Sequence, residues 1–358
     1  MLKTAPAVFA VGDHYEIMVP VKGHCLFWVQ VGDNTYYDAS CGVMRSLCRV
    51  HRVSVPMNVL DEAKSYTVCY KPVLDRRPYF TKTADTQQKT FSFSPVPAAS
   101  ARAYHIADAH NHIRGPVKAA RVFGKIDFLI LNGDLLDFTA HPGKYENIYK
   151  LCDAITGGHI PVVFSRGNHD MRGKYAESFT EFAPNDDGRT YYTFQLGSIG
   201  GVVLDCGEDK EDSCAEYGHT ISCHSYRQQQ TEFLRKIVEK QDFLAPGITT
   251  RLVICHVPFT QKDMPPFDIE QELYRQWAAL LAQIKPDLMI CGHTHVAQLR
   301  QPGCKEDDYG QPCPVVVASG YDDKSLVTGC GFIFKEDEIE MIFTDSAGNM
   351  ANREIIKK

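Results

Sequence analysis

A chain of 358 residues exceeds the ~250–300 at which a single core stops growing, so two domains are the default expectation. Apolar residues make up 44%, charged residues 23%, and the formal net charge is −6, a balance that excludes wholesale disorder and a polybasic surface for duplex nucleic acid. No apolar run approaches the ~20 residues of a membrane span, so a soluble chain without a membrane partner is expected.

The opening stretch Met1 to Ala10 faintly imitates a signal peptide, but it is broken by Pro6 and followed by Asp13 and Glu16. It reads as a frayed terminus leading to a strand, with export open only if a signal had been lost. The 13 cysteines include no C-x-x-C pair, which argues against a structural zinc site and a closed disulfide framework and points to a reducing cytoplasm. Cys255 and Cys291 precede His256 and His293 inside apolar runs, where small buried hydrophobes are expected.

Leu26 to Val31, the turn Gly32-Asp33-Asn34 and Thr35 to Tyr37 predict a hairpin, and His51 to Val55, Tyr66 to Tyr70 and Thr90 to Phe93 predict further strands. An all-β sandwich over residues 1–94 fits this series. Within it, Leu60 to Val68, with Leu60 and Tyr66 spaced before a strand, looks like the tyrosine-corner segment of fibronectin type III domains, although the usual Pro-Gly is absent. Ser94 to Ala101 is small, Pro-rich and uncharged, so residues 95–102 read as a linker and residues 103–358 as a second domain.

From Ala103 the pattern alternates: strands at Ala103 to Ala107, Asp127 to Asn132 and Ile160 to Ser165, helices at Val117 to Phe123 and Tyr145 to Ile155. This is the order of an α/β layered domain with helices flanking sheets. An antiparallel pair comes next at Tyr191 to Leu196 and Gly200 to Asp205. Helices at Tyr226 to Phe243 and Ile269 to Ile284 carry apolar stripes that include Leu234, Ile237, Trp277 and Leu281.

Five clusters rich in metal-ligating residues stand at the ends of these apolar runs: Asp108-Ala109-His110, Gly133-Asp134-Leu135-Leu136-Asp137, Gly167-Asn168-His169-Asp170, His256, and Gly292-His293-Thr294-His295. Side chains at the carboxyl ends of neighbouring strands converge although they are far apart in sequence. A two-metal site needs hard oxygen donors, imidazoles and a carboxylate able to bridge. His293 and His295, two apart, would share a direction in an extended segment.

The series resembles the calcineurin-like metallophosphoesterase family, whose signature runs D-x-H, G-D-x-x-D, G-N-H-D/E, H and G-H-x-H. The resemblance implies that Asp108, His110 and His295 bind one metal, that Asn168, His256 and His293 bind a second, and that Asp134 bridges both. It implies two divalent ions (manganese, iron, zinc or a mixture), a bridging hydroxide that attacks phosphorus, and His169 as general acid, its ring held by Asp137 or Asp170. Arg166 stands where phosphoprotein phosphatases clamp phosphate, but Phe138 replaces their second Arg, so Arg166 is either a clamp or a salt-bridged residue. His112, Arg114 and Arg172 read as solvated or supporting.

Purple acid phosphatases also join a β-sandwich to this fold. Their second motif ends in a metal-binding Tyr and their first lacks the His, whereas Asp137 and His110 stand here, so that likeness is architectural. The loop from Cys206 to Cys223, with its acidic run Glu208 to Asp212, reads as a solvated face that would repel polyanions if it overhung the site. The expected activity is hydrolysis of small phosphomonoesters, with phosphodiesters, cyclic nucleotides among them, as the alternative. A non-catalytic, metal-containing binding protein is the alternative of another class.

Overall fold

A computed structural model describes residues 1–245, 247–318, 320–321, 326–351 and 353–358. The alternation after residue 100 becomes a set of parallel neighbours, Ala101–Ile106, Phe128–Asn132 and Val162–Ser165, joined through the helices Arg114–Phe123 and Glu146–Thr156. Phe128 to Asn132 is buried at every position, as expected of a strand covered on both faces. The first helix turns Val117, Ala120 and Phe123 inward and the second Ile148, Tyr149 and Leu151. The second stops at Gly157, whose φ of 57° places it in the left-handed region while its N–H bonds the Asp153 carbonyl.

A second, six-stranded sheet carries the parallel strands Ile199–Val203, Thr250–Ile254, Leu288–Cys291 and Val315–Val317, with Tyr192–Leu196 antiparallel at one edge. Strand alternation divides its side chains. Leu252, Ile254 and Ile290 join the core shared with the first sheet, whereas Val253, Met289 and Val315 pack under the helices Cys223–Lys240 and Gln271–Ile284 around Trp277 and Leu281.

The expected boundary at residues 95–102 is crossed by a sheet. Strand Ala7–Val11 pairs in parallel with Val162–Ser165, Phe9 opposite Val162, and His14–Pro20 and Val50–Pro56 continue outward, so that among the described residues the first sheet has ten strands. All five residues of Ala7–Val11 are fully buried, and Phe9 meets Tyr149 and Phe164 edge-on at 6.4 and 6.0 Å. The sandwich is present in altered form. A small sheet built on Cys25–Val31, Asn34–Tyr37, Ser65–Asp75 and Gln87–Ser92 packs onto this extension, with Phe27 stacked on His51 at 4.8 Å and Tyr15 against Phe93 at 5.1 Å. Residues 1–94 therefore share one core with the C-terminal part of the chain, because their inner layer is the long sheet itself.

The hairpin closes as expected, with Val31 opposite Asn34. The tyrosine-corner reading does not hold. Leu60 lies in a short helix, Met57–Ala63, and the Tyr66 hydroxyl donates at 2.8 Å to the carbonyl of Gly158 in the other half of the chain. Among the described residues no helix is long and apolar enough to cross a membrane.

Candidate metal centre

Strands Ala101–Ile106, Phe128–Asn132, Val162–Ser165, Thr250–Ile254 and Leu288–Cys291 all end at one rim, and each expected ligand comes within a few residues of a strand end. The chain turns sharply there. Asp108, His110, Asp134, His293 and His295 adopt positive φ of 51°, 40°, 51°, 72° and 56°. L-residues rarely hold this conformation, and such strain collects at functional sites. His293 and His295 thus reach the centre from a left-handed turn, and not from the extended segment expected of them.

The glycines of the motifs make room for the ligands. A Cβ on Gly133 would lie 2.5 Å from the His256 ring, and one on Gly167 would lie 2.2 Å from Asp134 Oδ1. Either would displace a donor.

The donors gather into two groups whose ligating atoms lie within 4.8 Å of one another: Asp108, His110 and His295, and Asp134, His256 and His293. His256 joins them, its Nε2 3.1 Å from Asp134 Oδ2 and 3.6 Å from Asp108 Oδ1. His295 Nε2 lies 3.2 Å from Asp108 Oδ1. The Asn168 amide completes the second group, 3.2 Å from both Asp134 Oδ2 and His293 Nδ1. The fold thus brings together the seven residues that the motifs single out. Asp108, Asp134, Asn168 and His256 are each no more than 2% exposed.

The residues fit a pair of cations. The Nε2 of His110 is buried without a hydrogen bond, while its Nδ1 is held by Asp137 Oδ1 at 2.9 Å; the Nδ1 of His256 is held by the Asn132 carbonyl at 2.8 Å. This is the arrangement that points the other ring nitrogen at a metal. Burial works against charge on His256, yet the carboxylates of Asp134 and Asp108 outweigh it and push the imidazole up to about 10. His295 is raised by its hydrogen bond to Asp108, whereas burial lowers His110 and His293. The carboxylates of Asp134 and Asp108 thus favour positive charge at the centre of the pocket.

Two expected partners are exchanged. Neither carboxylate holds the His169 ring. Asp137 is occupied by His110 and by Asn111 Nδ2 at 2.6 Å, because the left-handed turn at 110–111 presents both donors to it. Asp170 is fully buried and accepts from the backbone N–H groups of Asp134, Leu136 and Gly167 at 3.0, 3.1 and 3.0 Å, stapling two motif loops together. The Asp137 backbone carbonyl orients His169 instead, 3.1 Å from its Nδ1.

Arg166 resolves toward its salt-bridged alternative. Its Nε donates to buried Asp205 at 2.7 Å, and its guanidinium lies over Phe179 and Tyr226. The arginine beside the site is Arg172, which sequence alone marks only as solvated or supporting. Its Nη1 lies 3.1 Å from His169 Nε2, and Nε and Nη2 fork onto Glu208 at 2.8 Å each. Glu208 is 1% exposed. The acidic loop is thus anchored beside the site at its first members, with Asp209 3.7 Å from Arg172 and the Tyr217 hydroxyl donating to both acids.

The family model described as calcineurin-like phosphoesterase matches residues 101–297. Among curated proteins, the serine/threonine-protein phosphatase CPPED1 of Danio rerio is 34% identical over 80 residues, 22% of this chain and 26% of that protein. The chain thus aligns with about a quarter of that relative's length. Among solved structures, purple acid phosphatase PPD1 from yellow lupin (Lupinus luteus) seeds superposes with a TM-score of 0.62 at 12% identity, covering 99% of this chain and 74% of that one. A dimetal phosphatase from Danio rerio gives a TM-score of 0.47 at 13% identity, covering 73% and 99%. The likeness to PPD1 is one of fold, and it includes the N-terminal strands.

Proposed function

The chain belongs to the calcineurin-like phosphoesterase family, and from that premise we propose that it is a metal-dependent hydrolase of small phosphate esters, phosphomonoesters first. The observation that carries this reading is the convergence of two donor groups, bound to each other through His256, at the carboxyl rim of two sheets. Two divalent cations held by Asp108, His110, Asp134, Asn168, His256, His293 and His295 would supply Lewis acidity to the phosphoryl oxygens and acidify water near neutral pH. Manganese, iron, zinc or a mixture suits this donor set.

The remaining chemistry belongs to side chains on the rim. Arg172 presents Nη1 to a phosphoryl oxygen, while its fork on Glu208 keeps the guanidinium from turning away. His169 gives its Nδ1–H to the Asp137 carbonyl and accepts from Arg172 Nη1 at Nε2. When substrate draws Nη1 of Arg172 onto phosphate, Nε2 is freed to take a proton from water and pass it to the departing oxygen, leaving the ring as it began. A fixed guanidinium beside the leaving-group acid favours the second negative charge of a monoester. The anchored acidic loop disfavours long polyanions.

The test is a substrate panel on metal-loaded protein: nitrophenyl phosphate, a phosphoserine peptide, bis-nitrophenyl phosphate and a cyclic nucleotide. Monoesters should turn over faster than diesters. Faster diesters would favour the phosphodiesterase reading. No turnover of any ester with both metals bound would leave a metal-containing binding protein.

A further inference from the structure

In the N-terminal part, the small sheet ends in a tip that faces solvent. The strand Ser65–Asp75 turns into Lys82–Thr83 through the loop Arg76 to Thr81, and Leu74 to Phe80 is exposed at every position. Tyr79 is 80% and Phe80 93% exposed. Beside them, Arg76 Nη1 donates to Ser46 Oγ at 3.2 Å and ties in the loop of residues 38–48, with exposed Val43 and Leu47. Of the thirteen large apolar side chains exposed among the described residues, five gather on these two loops: Val43, Leu47, Leu74, Tyr79 and Phe80.

The tip is held by its own hydrogen bonds. Thr81 Oγ1 donates to the Arg77 carbonyl at 3.1 Å and accepts from the Arg77 N–H at 3.3 Å, while Arg77 Nε donates to Asp75. Phe80 has a φ of 55°, a left-handed backbone that is an outlier for a bulky side chain. Strain of this kind collects at functional sites. Here the strained residue leaves a phenyl ring almost wholly in water, so burial within the chain does not offset it.

Charge indicates what would bury it. Residues 37–49 and 71–82 hold six cations, Arg45, Arg49, Lys71, Arg76, Arg77 and Lys82, against two acids, Asp38 and Asp75, of which Asp38 is buried. The whole chain carries −6, so these segments are positive on an otherwise acidic protein. Basic side chains around exposed aromatics suit an anionic bilayer, where the rings enter the headgroup layer and the cations stay with lipid phosphates. The acidic remainder of the chain is screened beyond a Debye length of about 8 Å at physiological salt. A protein partner fits less well, since stable interfaces cover ~800 Å² of each surface around a desolvated centre, whereas the apolar side chains here stand on loops.

We propose that this tip is a docking surface for an anionic phospholipid bilayer, with Tyr79 and Phe80 entering the headgroup layer and Arg77 and Lys82 beside the lipid phosphates. A contact of this kind needs no membrane span, so the lack of a ~20-residue apolar run, which argues against a membrane partner, does not reach it. None of the rim ligands comes from this part of the chain. The surface brings the protein to a membrane and takes no part in the chemistry at the rim.

The experiment is co-sedimentation of the full chain with vesicles of phosphatidylcholine alone or mixed with phosphatidylserine. The wild type should bind the mixed vesicles, release them at raised salt, and leave the neutral ones largely unbound. The double substitution Tyr79→Ser with Phe80→Ser should lower the affinity about tenfold or more. Arg77→Gln and Lys82→Gln should each lower it about fivefold on mixed vesicles, the scale of one cation at an anionic surface. Met264→Ser, which removes an exposed apolar side chain elsewhere, should bind as the wild type does. Melting temperatures close to that of the wild type would show that the variants are folded. In Phe80→Trp, mixed vesicles should shift the added indole emission to the blue, as entry into the headgroup layer does. Wild-type protein that stays in the supernatant, equal binding to neutral vesicles, or undiminished binding by the double variant would overturn the proposal. So would lipid-free self-association that the double variant abolishes, which would make the occupant a second copy of the chain.

Discussion

Arg172 places Nη1 3.1 Å from the Nε2 of His169 while its other side is forked onto Glu208. A planar guanidinium can serve both partners at once, whereas a lysine offers a single nitrogen and must abandon one of them. Arg172→Lys should therefore keep both rim metals and lose about 10–100-fold in kcat/KM on a monoester, the scale of a charged hydrogen bond. The loss on a diester should be smaller. Steady-state kinetics with metal analysis would decide it, and equal losses on both ester classes would remove Arg172 from monoester recognition.

His169 is oriented by a backbone carbonyl and not by a carboxylate, so the general-acid role proposed for it would rest on its position. His169→Ala should retain both metals and slow alkyl phosphate hydrolysis by roughly 10²–10⁴-fold, the usual scale of general acid catalysis. A nitrophenyl leaving group needs little protonation and should lose less. If both substrates slow equally at unchanged metal content, His169 positions phosphate instead.

All seven candidate ligands are legible in the sequence because each stands in a short Gly, Asp, Asn or His cluster where an apolar strand ends, and the clusters converge at one rim. The sandwich is half legible, since period-two strands announce a sheet but do not announce its neighbour. The run Ala7 to Val11 is buried on both faces and pairs in parallel with a strand that begins at Val162, a partner fixed only by the tertiary fold. The exchange at Asp137 depends on left-handed residues 110 and 111, a backbone choice that non-glycine residues do not advertise. Arg172 is hidden for a similar reason, as Glu208, the acid that fixes it, lies 36 residues away.

Asp134 contacts both donor groups through His256 and accepts from the His169 N–H at 2.8 Å, whereas Asn168 belongs to one group. Asp134→Asn removes the carboxylate charge that two cations would share and should abolish activity. Asn168→Ala should weaken one site and leave residual turnover that excess metal restores in part. A chelator should silence the wild type. Full activity in a preparation shown to be metal-free would contradict the whole centre.

The last expectation concerns the N-terminal residues. Ala7–Val11 lies fully buried between Val162–Ser165 and His14–Pro20, and the strand it covers leads directly into Gly167 and Asn168. Deleting residues 1–94 would expose Val162, Val163 and Phe164 as an open apolar sheet edge, a template for aggregation. It would also strip Phe9 from Tyr149 and Phe164. The truncated chain should be insoluble or metal-poor, even though no rim ligand comes from the deleted part. Within the full chain, Phe9→Ala should cost about 3–5 kcal/mol, as large-to-small changes in a packed core do, and lower the melting temperature while leaving the ligands in place. A soluble fragment of residues 95–358 with a cooperative melt and both metals bound would show that the sheet extension is dispensable and that the boundary read from the Pro-rich joint is the true one.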